Sequence, residues 1–158
     1  HPCRSRYSNG SYGVWYGARS LLTSIHETVH HFRRNTLASE IARGSRVAIY
    51  QERRVHLVRC SAMLVDLRER CREEPRLTDP DDYSFCQSLG GRLRAASQPG
   101  IQSRSARDRQ GEVAGVFQRE PLSDPRDVCY LGYVLHASTG CVDVERKPGK
   151  VEWRIEAS

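Results

Sequence analysis

The apolar positions near the start of the chain change from the spacing of a strand to that of a helix. Residues 13–17 follow a loop of Ser, Asn and Gly and are predicted as a short strand. In residues 21–34 the apolar side chains recur every three or four positions, which is typical of a helix with one buried face. Ser20 is a suitable N-cap. The apolar positions are Leu21, Leu22, Ile25, Val29 and Phe32. Glu27 lies away from them, so its carboxylate can face a cleft.

The rest of the chain predicts more strands than helices. A second helix is expected where Asp and Pro residues precede Tyr83, with apolar residues at helical spacing as far as Leu93. Gly90 and Gly91 in its middle indicate the close approach of another backbone. Residues 68–76 are charged and expected at the surface, and 105–111 form a polar loop. Strands are expected at residues 46–50, 55–67, 101–103, 113–117, 128–137, 141–145 and 151–155. Two principal helices among about seven strands indicate an α+β fold with helices packed on a sheet.

Length and composition favour one globular domain over the whole chain, residues 1–158. The formal net charge is +6, and every basic residue except Lys147 and Lys150 is an arginine. The arginines are scattered, so a phosphate-bearing ligand is compatible but a nucleic-acid groove is not indicated. The six cysteines form no Cys-x-x-Cys motif, which favours reduced thiols in a cytoplasmic protein. No apolar run approaches the ~20 residues that span a bilayer. Because the chain lacks an initial Met, we expect that a segment of the natural chain precedes it.

A His-Glu-x-x-His motif lies within the first predicted helix, at His26, Glu27 and His30. Two His residues four positions apart share a helix face, and the Glu can act as general base on zinc-bound water. A catalytic zinc needs a third protein ligand, and none follows at a familiar spacing. The candidate Glu40 is close to the motif for such a ligand. A zinc hydrolase therefore stays an alternative, and ordinary surface histidines are the simpler explanation.

A wider constellation places Arg6 on a loop, Tyr16 on a strand and Glu27 on a helix. A strand–turn–helix unit can bring the last two side chains to one cleft. The segments SRYSNG, GVWYG and TSIHETVHH resemble the RES domain of toxins from bacterial toxin–antitoxin systems. A second block also resembles it, with Asp82-Tyr83, Gln87–Gly90, Leu93-Arg94, Gly100-Ile101, Ser105–Arg107, Gly111 and Val116-Phe117.

The resemblance implies a fold similar to the ADP-ribosyltransferase toxins and cleavage of NAD⁺ at its nicotinamide–ribose bond. The acceptor is phosphate, water or a protein side chain, the last making the chain a protein ADP-ribosyltransferase. The implied catalytic residues are Arg6, Tyr16, Glu27 and Ser105, and the implied NAD-binding residues are Arg6, Tyr7, Tyr16, Ser105 and Arg107. Ser103 is an alternative to Ser105.

Each implied role agrees with the chemistry of the residue. Glu27 would stabilise an oxocarbenium-like ribosyl centre, as carboxylates do in glycoside cleavage. Tyr16 would offer its ring face to the nicotinamide. Arg6 would bind the diphosphate or an incoming phosphate, with Arg107 as a second contact. Ser105 would hydrogen-bond ribose or phosphate. No metal is required.

The resemblance also implies partners. A helix-turn-helix antitoxin protein would hold the toxin inactive by covering its site, and a homodimer could form within that complex. A protein target is a further expectation for the transferase alternative, whereas contact with a membrane or directly with nucleic acid is not expected. A non-catalytic interaction domain becomes the better interpretation if Arg6 and Glu27 prove to be far apart.

Overall fold

The computed structural model describes residues 3–38 and 47–157, which fall into two compact units. The first contains His1–Glu27 and Arg59–Ser123, and the second contains Thr28–Val58 and Asp124–Ser158. The elements are β1 (Trp15–Ala18), α1 (Leu21–Leu37), β2 (Ile49–Cys60), β3 (Val65–Asp66), α2 (Arg70–Glu73), a 3-10 turn (Pro75–Leu77), α3 (Ser84–Ala95), β4 (Gly100–Arg104), β5 (Glu112–Val116), β6 (Leu122–His136), β7 (Cys141–Lys147) and β8 (Lys150–Ile155).

The first unit is built on a four-stranded sheet in the order β1-β5-β4-β3. The β1–β5 and β4–β5 pairs are antiparallel, and β3 pairs with β4 in parallel. Its buried core consists of Tyr7, Tyr12, Leu67, Leu77, Cys86, Ile101 and Phe117. Helix α3 passes very close to the backbone at Tyr7. The absence of a side chain at Gly90 allows this approach, since a Cβ there would collide with the Tyr7 carbonyl oxygen. The predicted close approach is confirmed at Gly90, whereas Gly91 faces open space.

The second unit is built on a sheet in the order β2-β6-β7-β8. Strands β6 and β7, which cover the strands predicted at 128–137 and 141–145, form a hairpin whose turn contains Gly140 with φ +71°, a left-handed conformation that glycine adopts readily. Within this unit, Phe32 of α1 is buried and its ring lies 6.1 Å from the ring of Tyr133 on β6. The Thr28 hydroxyl also bonds the Tyr133 hydroxyl at 2.8 Å.

The predicted α+β class is confirmed, since the protein combines helices with two small sheets. The predicted strand at 55–67 is wrong: β2 runs through that position but ends at Cys60, and β3 belongs to the other sheet. Between them the Ser61 N–H donates to the Pro121 carbonyl, and Met63 is 93% exposed, so the apolar residues there do not form one strand.

Smaller differences concern the ends of elements. Helix α1 extends to Leu37, beyond the predicted residue 34. The charged stretch 68–76 has no buried residue, as expected of a surface segment, and it contains α2 and the start of the 3-10 turn. The predicted strand at 46–50 begins at Arg46, which lies outside the described residues, as does Glu40. No helix among the described residues is long and apolar enough to cross a bilayer. The interpretation as one domain stays a prediction.

Candidate active site

Glu27 and Ser105 are in direct contact within the first unit. Glu27 lies in the second turn of α1, whose first turn is capped by the Ser20 hydroxyl accepting the Thr23 N–H at 3.1 Å. Ser105 follows β4 directly, and its hydroxyl donates to Glu27 Oε1 at 2.6 Å. That distance is typical of a hydroxyl bonded to a charged carboxylate. The fold therefore joins two predicted site residues that are far apart in the sequence.

The Ser105 hydroxyl is fully engaged. It donates its one proton to Glu27 and accepts the backbone N–H groups of Arg107 at 3.0 Å and Asp108 at 2.9 Å. A hydroxyl offers one donor and two acceptor positions, so none is left for a ligand in this state. Ser105 is also only 7% exposed. Its geometry suits a residue that orients the Glu27 carboxylate.

A second contact ties the Ser105 loop to α1. Thr23, one turn before Glu27 on the same helix face, is 2% exposed and donates from Oγ1 to Asp108 Oδ2 at 2.7 Å. A side chain added at Gly111 would collide with both Thr23 and Asp108. Neither Thr23 nor Asp108 is among the site residues predicted from the sequence. The available signal was the position of Thr23, four residues before a candidate catalytic Glu.

Tyr16 lies on β1 opposite Gly115 of β5. Its hydroxyl accepts the Tyr7 N–H at 2.9 Å and lies 2.9 Å from the Ser5 hydroxyl. Burial raises the pKa of Tyr16, so the phenol is a poor proton donor at neutral pH. The residue is 39% exposed. With the hydroxyl held by the protein, the ring is the part of Tyr16 that remains available to a ligand.

Arg6 and Arg107 both bind the segment that leads into α3. Arg6 donates from Nη1 to the Asp79 carbonyl at 2.7 Å, and its guanidinium lies 4.4 Å from the centre of the Tyr83 ring. Arg107 donates to the Pro80 carbonyl, and its Nη2 lies 3.5 Å from the Tyr83 hydroxyl. Both predicted phosphate contacts therefore also hold this segment in place.

The electrostatics of the segment agree with these contacts. The N–H groups of Asp82 and Asp81 lower the pKa of Asp79, and the positive charges of Arg6 and Arg107 lower it further. The hydrogen bonds of Arg6 to the Asp79 carbonyl and of Arg107 to the Pro80 carbonyl place the two predicted phosphate contacts in the same part of the first unit.

Tyr7 and Ser103 lie in the core of the first unit. Tyr7 is 0% exposed, and burial raises its pKa. It therefore presents no side-chain surface to NAD⁺ in this structure, contrary to the implied binding role, and contributes its backbone N–H to Tyr16. Ser103 is 1% exposed, and its hydroxyl lies 3.4 Å from the Cys71 thiol. Of the two candidate serines, Ser105 is the one in contact with Glu27.

The predicted residues are thus connected within one unit, but not all of them touch. Glu27 bonds Ser105, whose loop continues into Arg107; Arg107 and Arg6 meet at Tyr83. Neither Arg6 nor Tyr16 hydrogen-bonds Glu27 among the described residues.

Ser105 also lines an open cleft of about 560 Å³. Its basic lining consists of Arg68, Arg72, Arg104, Arg107 and Arg109. No acidic side chain lines it among the described residues. The volume is within the range of small-molecule sites.

The metal hypothesis finds little support in the part of the chain that the structure describes. Within residues 3–38 and 47–157, no group of three His, Cys, Asp or Glu side chains could hold a metal ion. The carboxylate of the motif, Glu27, is bonded to Ser105. The rings of His30 and His31 lie 5.4 Å apart.

The family model of the RES domain matches residues 1–136, which include every candidate site residue. A search of curated proteins finds no match. Because the family model covers most of the 158 residues, this chain belongs to the RES domain family.

Proposed function

We propose that this chain cleaves NAD⁺ at the nicotinamide–ribose bond. RES family membership is consistent with an NAD-related enzymatic function. The observation that supports the proposal most directly is the 2.6 Å hydrogen bond from Ser105 to Glu27 beside an arginine-lined cleft. An oriented carboxylate next to positive charge suits a substrate that carries phosphates and develops positive charge at its reacting carbon.

In the proposed reaction, the bond between the ribose anomeric carbon and the nicotinamide nitrogen breaks, and the electron pair leaves with nicotinamide. The ribosyl carbon then carries partial positive charge, which the Glu27 carboxylate stabilises electrostatically. Ser105 holds Oε1, so Oε2 of Glu27 is the oxygen available to the substrate. An acceptor completes the reaction by bonding to the ribosyl carbon and losing its proton.

The remaining residues bind and orient the substrate. The ring of Tyr16 packs against nicotinamide, since its hydroxyl is already bonded to Tyr7 and Ser5. Arg6 and Arg107 contact the phosphates through their guanidiniums while they keep the segment at Tyr83 in place.

The acceptor defines two versions of this function. With phosphate or water the chain destroys NAD⁺, and with a protein side chain it is an ADP-ribosyltransferase. The RES resemblance also supports a toxin in the cytoplasm of a bacterium, inhibited by a helix-turn-helix antitoxin. Phosphate and water are both small enough for the open cleft beside Ser105, and its basic lining suits phosphate, so we place phosphorolysis or hydrolysis first.

The test is nicotinamide release from NAD⁺ by the purified chain, with and without phosphate. Glu27→Gln should reduce release by at least about 100-fold, since a positioned electrostatic group contributes roughly 3–4 kcal/mol. Glu52→Gln, an exposed substitution on β2, is the matched control and should retain full activity.

Two results would contradict the proposal. One is that the wild-type chain, free of any partner, neither releases nicotinamide nor labels proteins of a lysate with tagged NAD⁺. The other is that Glu27→Gln remains as active as Glu52→Gln. Loss of activity with a chelator, and in both His26→Ala and His30→Ala, would favour the zinc hydrolase instead.

A further inference from the structure

Tyr83, the residue directly before α3, contacts two of the predicted site arginines. The guanidinium of Arg6 lies 4.4 Å from the centre of the Tyr83 ring, and Nη2 of Arg107 lies 3.5 Å from the Tyr83 hydroxyl. All three side chains are partly buried within the first unit. Because 3.5 Å is at the limit of a hydrogen bond, the stack on Arg6 is the stronger of the two contacts.

The Tyr83 ring restricts a motion of the Arg6 side chain that its hydrogen bond leaves open. Nη1 of Arg6 donates to the Asp79 carbonyl at 2.7 Å, which holds one edge of the guanidinium. A planar group held at one edge can still turn about that bond. The aromatic face opposes this rotation, since the attraction between the two groups requires the guanidinium to stay over the ring.

Helix α3 also holds the backbone on both sides of the same arginine. The Gln87 side chain donates from Nε2 to the Ser5 carbonyl at 3.0 Å. Gly90 meets the Tyr7 carbonyl so closely that a Cβ there would collide with it. The aromatic ring therefore belongs to the element that already fixes the neighbouring backbone, and it completes that support at the side chain.

Other arginines of this chain also stack on aromatic rings, so a stack alone does not indicate a function. The guanidinium of Arg76 lies 4.2 Å from the centre of the Phe85 ring, and Arg76 also pairs with Glu74. Tyr83 differs because it contacts two arginines, both of which are predicted site residues.

We propose that Tyr83 is a positioning residue that sets the plane of the Arg6 guanidinium and thereby the affinity for the substrate. Tyr83 itself does not touch the substrate. This role rests on the proposed function, in which Arg6 binds a part of NAD⁺ remote from the bond that breaks. Such a contact is equally strong in the bound substrate and in the transition state, so its loss raises KM and leaves kcat unchanged.

The test is the rate of nicotinamide release by the purified chain over a series of NAD⁺ concentrations. Tyr83→Leu removes the ring and should raise KM by about three- to tenfold with kcat within about twofold of the wild-type value, because a partly buried cation–π contact contributes roughly that factor. Tyr83→Met replaces the ring by a more adaptable side chain and should behave in the same way. Tyr83→Phe keeps the ring and should keep the wild-type KM. Phe85→Leu is the matched control, since it removes a ring of α3 that stacks on an arginine outside the predicted site.

A higher KM in Tyr83→Leu and Tyr83→Met, but not in Tyr83→Phe or Phe85→Leu, supports the role. The inference is overturned if Tyr83→Leu keeps the wild-type KM, or if Tyr83→Phe or Phe85→Leu raises KM as much. A lower kcat at unchanged KM also overturns it, because that is the effect of a smaller folded fraction. A wild-type chain that releases no nicotinamide overturns the proposed function and this role together, whereas release with the same KM by the wild-type chain and every variant overturns the role alone.

Discussion

The contact between Ser105 and Glu27 gives a quantitative prediction for Ser105→Ala. The substitution removes a hydrogen bond of 2.6 Å to a carboxylate and leaves the N–H groups of Arg107 and Asp108 without their acceptor. A hydrogen bond to a charged group contributes about 1.5–3 kcal/mol. If that energy orients Glu27 in the transition state, kcat for nicotinamide release falls by about 10- to 150-fold, since each 1.36 kcal/mol is a factor of ten.

The two N–H groups add a stability effect. Because Ser105 is 7% exposed, water replaces its oxygen only in part, and we expect the free energy of unfolding to fall by about 2–4 kcal/mol. For a chain of this size the midpoint of thermal unfolding then drops by roughly 5–15 °C. Calorimetry measures that drop, and the rate of nicotinamide release measured well below the new midpoint gives the catalytic effect separately.

Two further substitutions isolate the role of the hydroxyl. Ser105→Thr keeps the oxygen and should restore most of the rate that Ser105→Ala loses. Ser103→Ala is the control, because Ser103 is equally buried but its hydroxyl lies near Cys71 instead of Glu27. The reasoning is refuted if Ser105→Ala retains kcat within twofold of the wild-type chain, or if Ser103→Ala loses as much kcat as Ser105→Ala.

Three other predictions concern helix contacts and acid stability. Gly90→Ala should lower the free energy of unfolding by about 1–3 kcal/mol, because the added methyl group overpacks against the Tyr7 carbonyl. Gly91→Ala, which meets no neighbour, should raise the free energy of unfolding by up to about 1 kcal/mol. Equal shifts of the two variants in urea unfolding would contradict this prediction. Thr23→Val should lower kcat with little change in KM because it frees the Ser105 loop, and Thr23→Ser should behave like wild type. Hydrogen bonds from Arg154 lower the pKa of Asp143 below its usual 3.8, so its contribution to stability is present above pH 4 and lost as the pH falls through the folded value. Asp143→Asn should therefore lose less stability than the wild-type chain between pH 5 and pH 2. Parallel acid-denaturation curves for the variant and the wild-type chain would count against this role of Asp143.

The sequence predicted α1 and the position of Glu27 well because helical periodicity is a local property. Ile25, Val29 and Phe32 are buried as expected, and Glu27 is free to meet Ser105. The end of β2 at Cys60 was not predicted, because the apolar side chains continue beyond it and only the partner strand decides where pairing stops.

Tertiary contacts explain what the sequence could not predict about the site. The contact of Thr23 with Asp108 joins residues 85 positions apart, and no local pattern encodes such a pair. Likewise Arg68, Arg104 and Arg109 look scattered in the sequence, and folding of the first unit gathers them around one cleft. The family resemblance did place Glu27 and Ser105 in one site, because it compares whole chains and is not limited to local spacing, whereas their direct contact was not predicted.

The arginine lining has a practical consequence for work with this protein. An arginine guanidinium keeps its charge at any pH at which a protein stays folded, so the charge that the cleft contributes does not change between acidic and alkaline buffers. Ionic strength is then the solution variable that changes how strongly this charge acts on an approaching anion. Measurements on two preparations of this protein should therefore be compared at the same ionic strength.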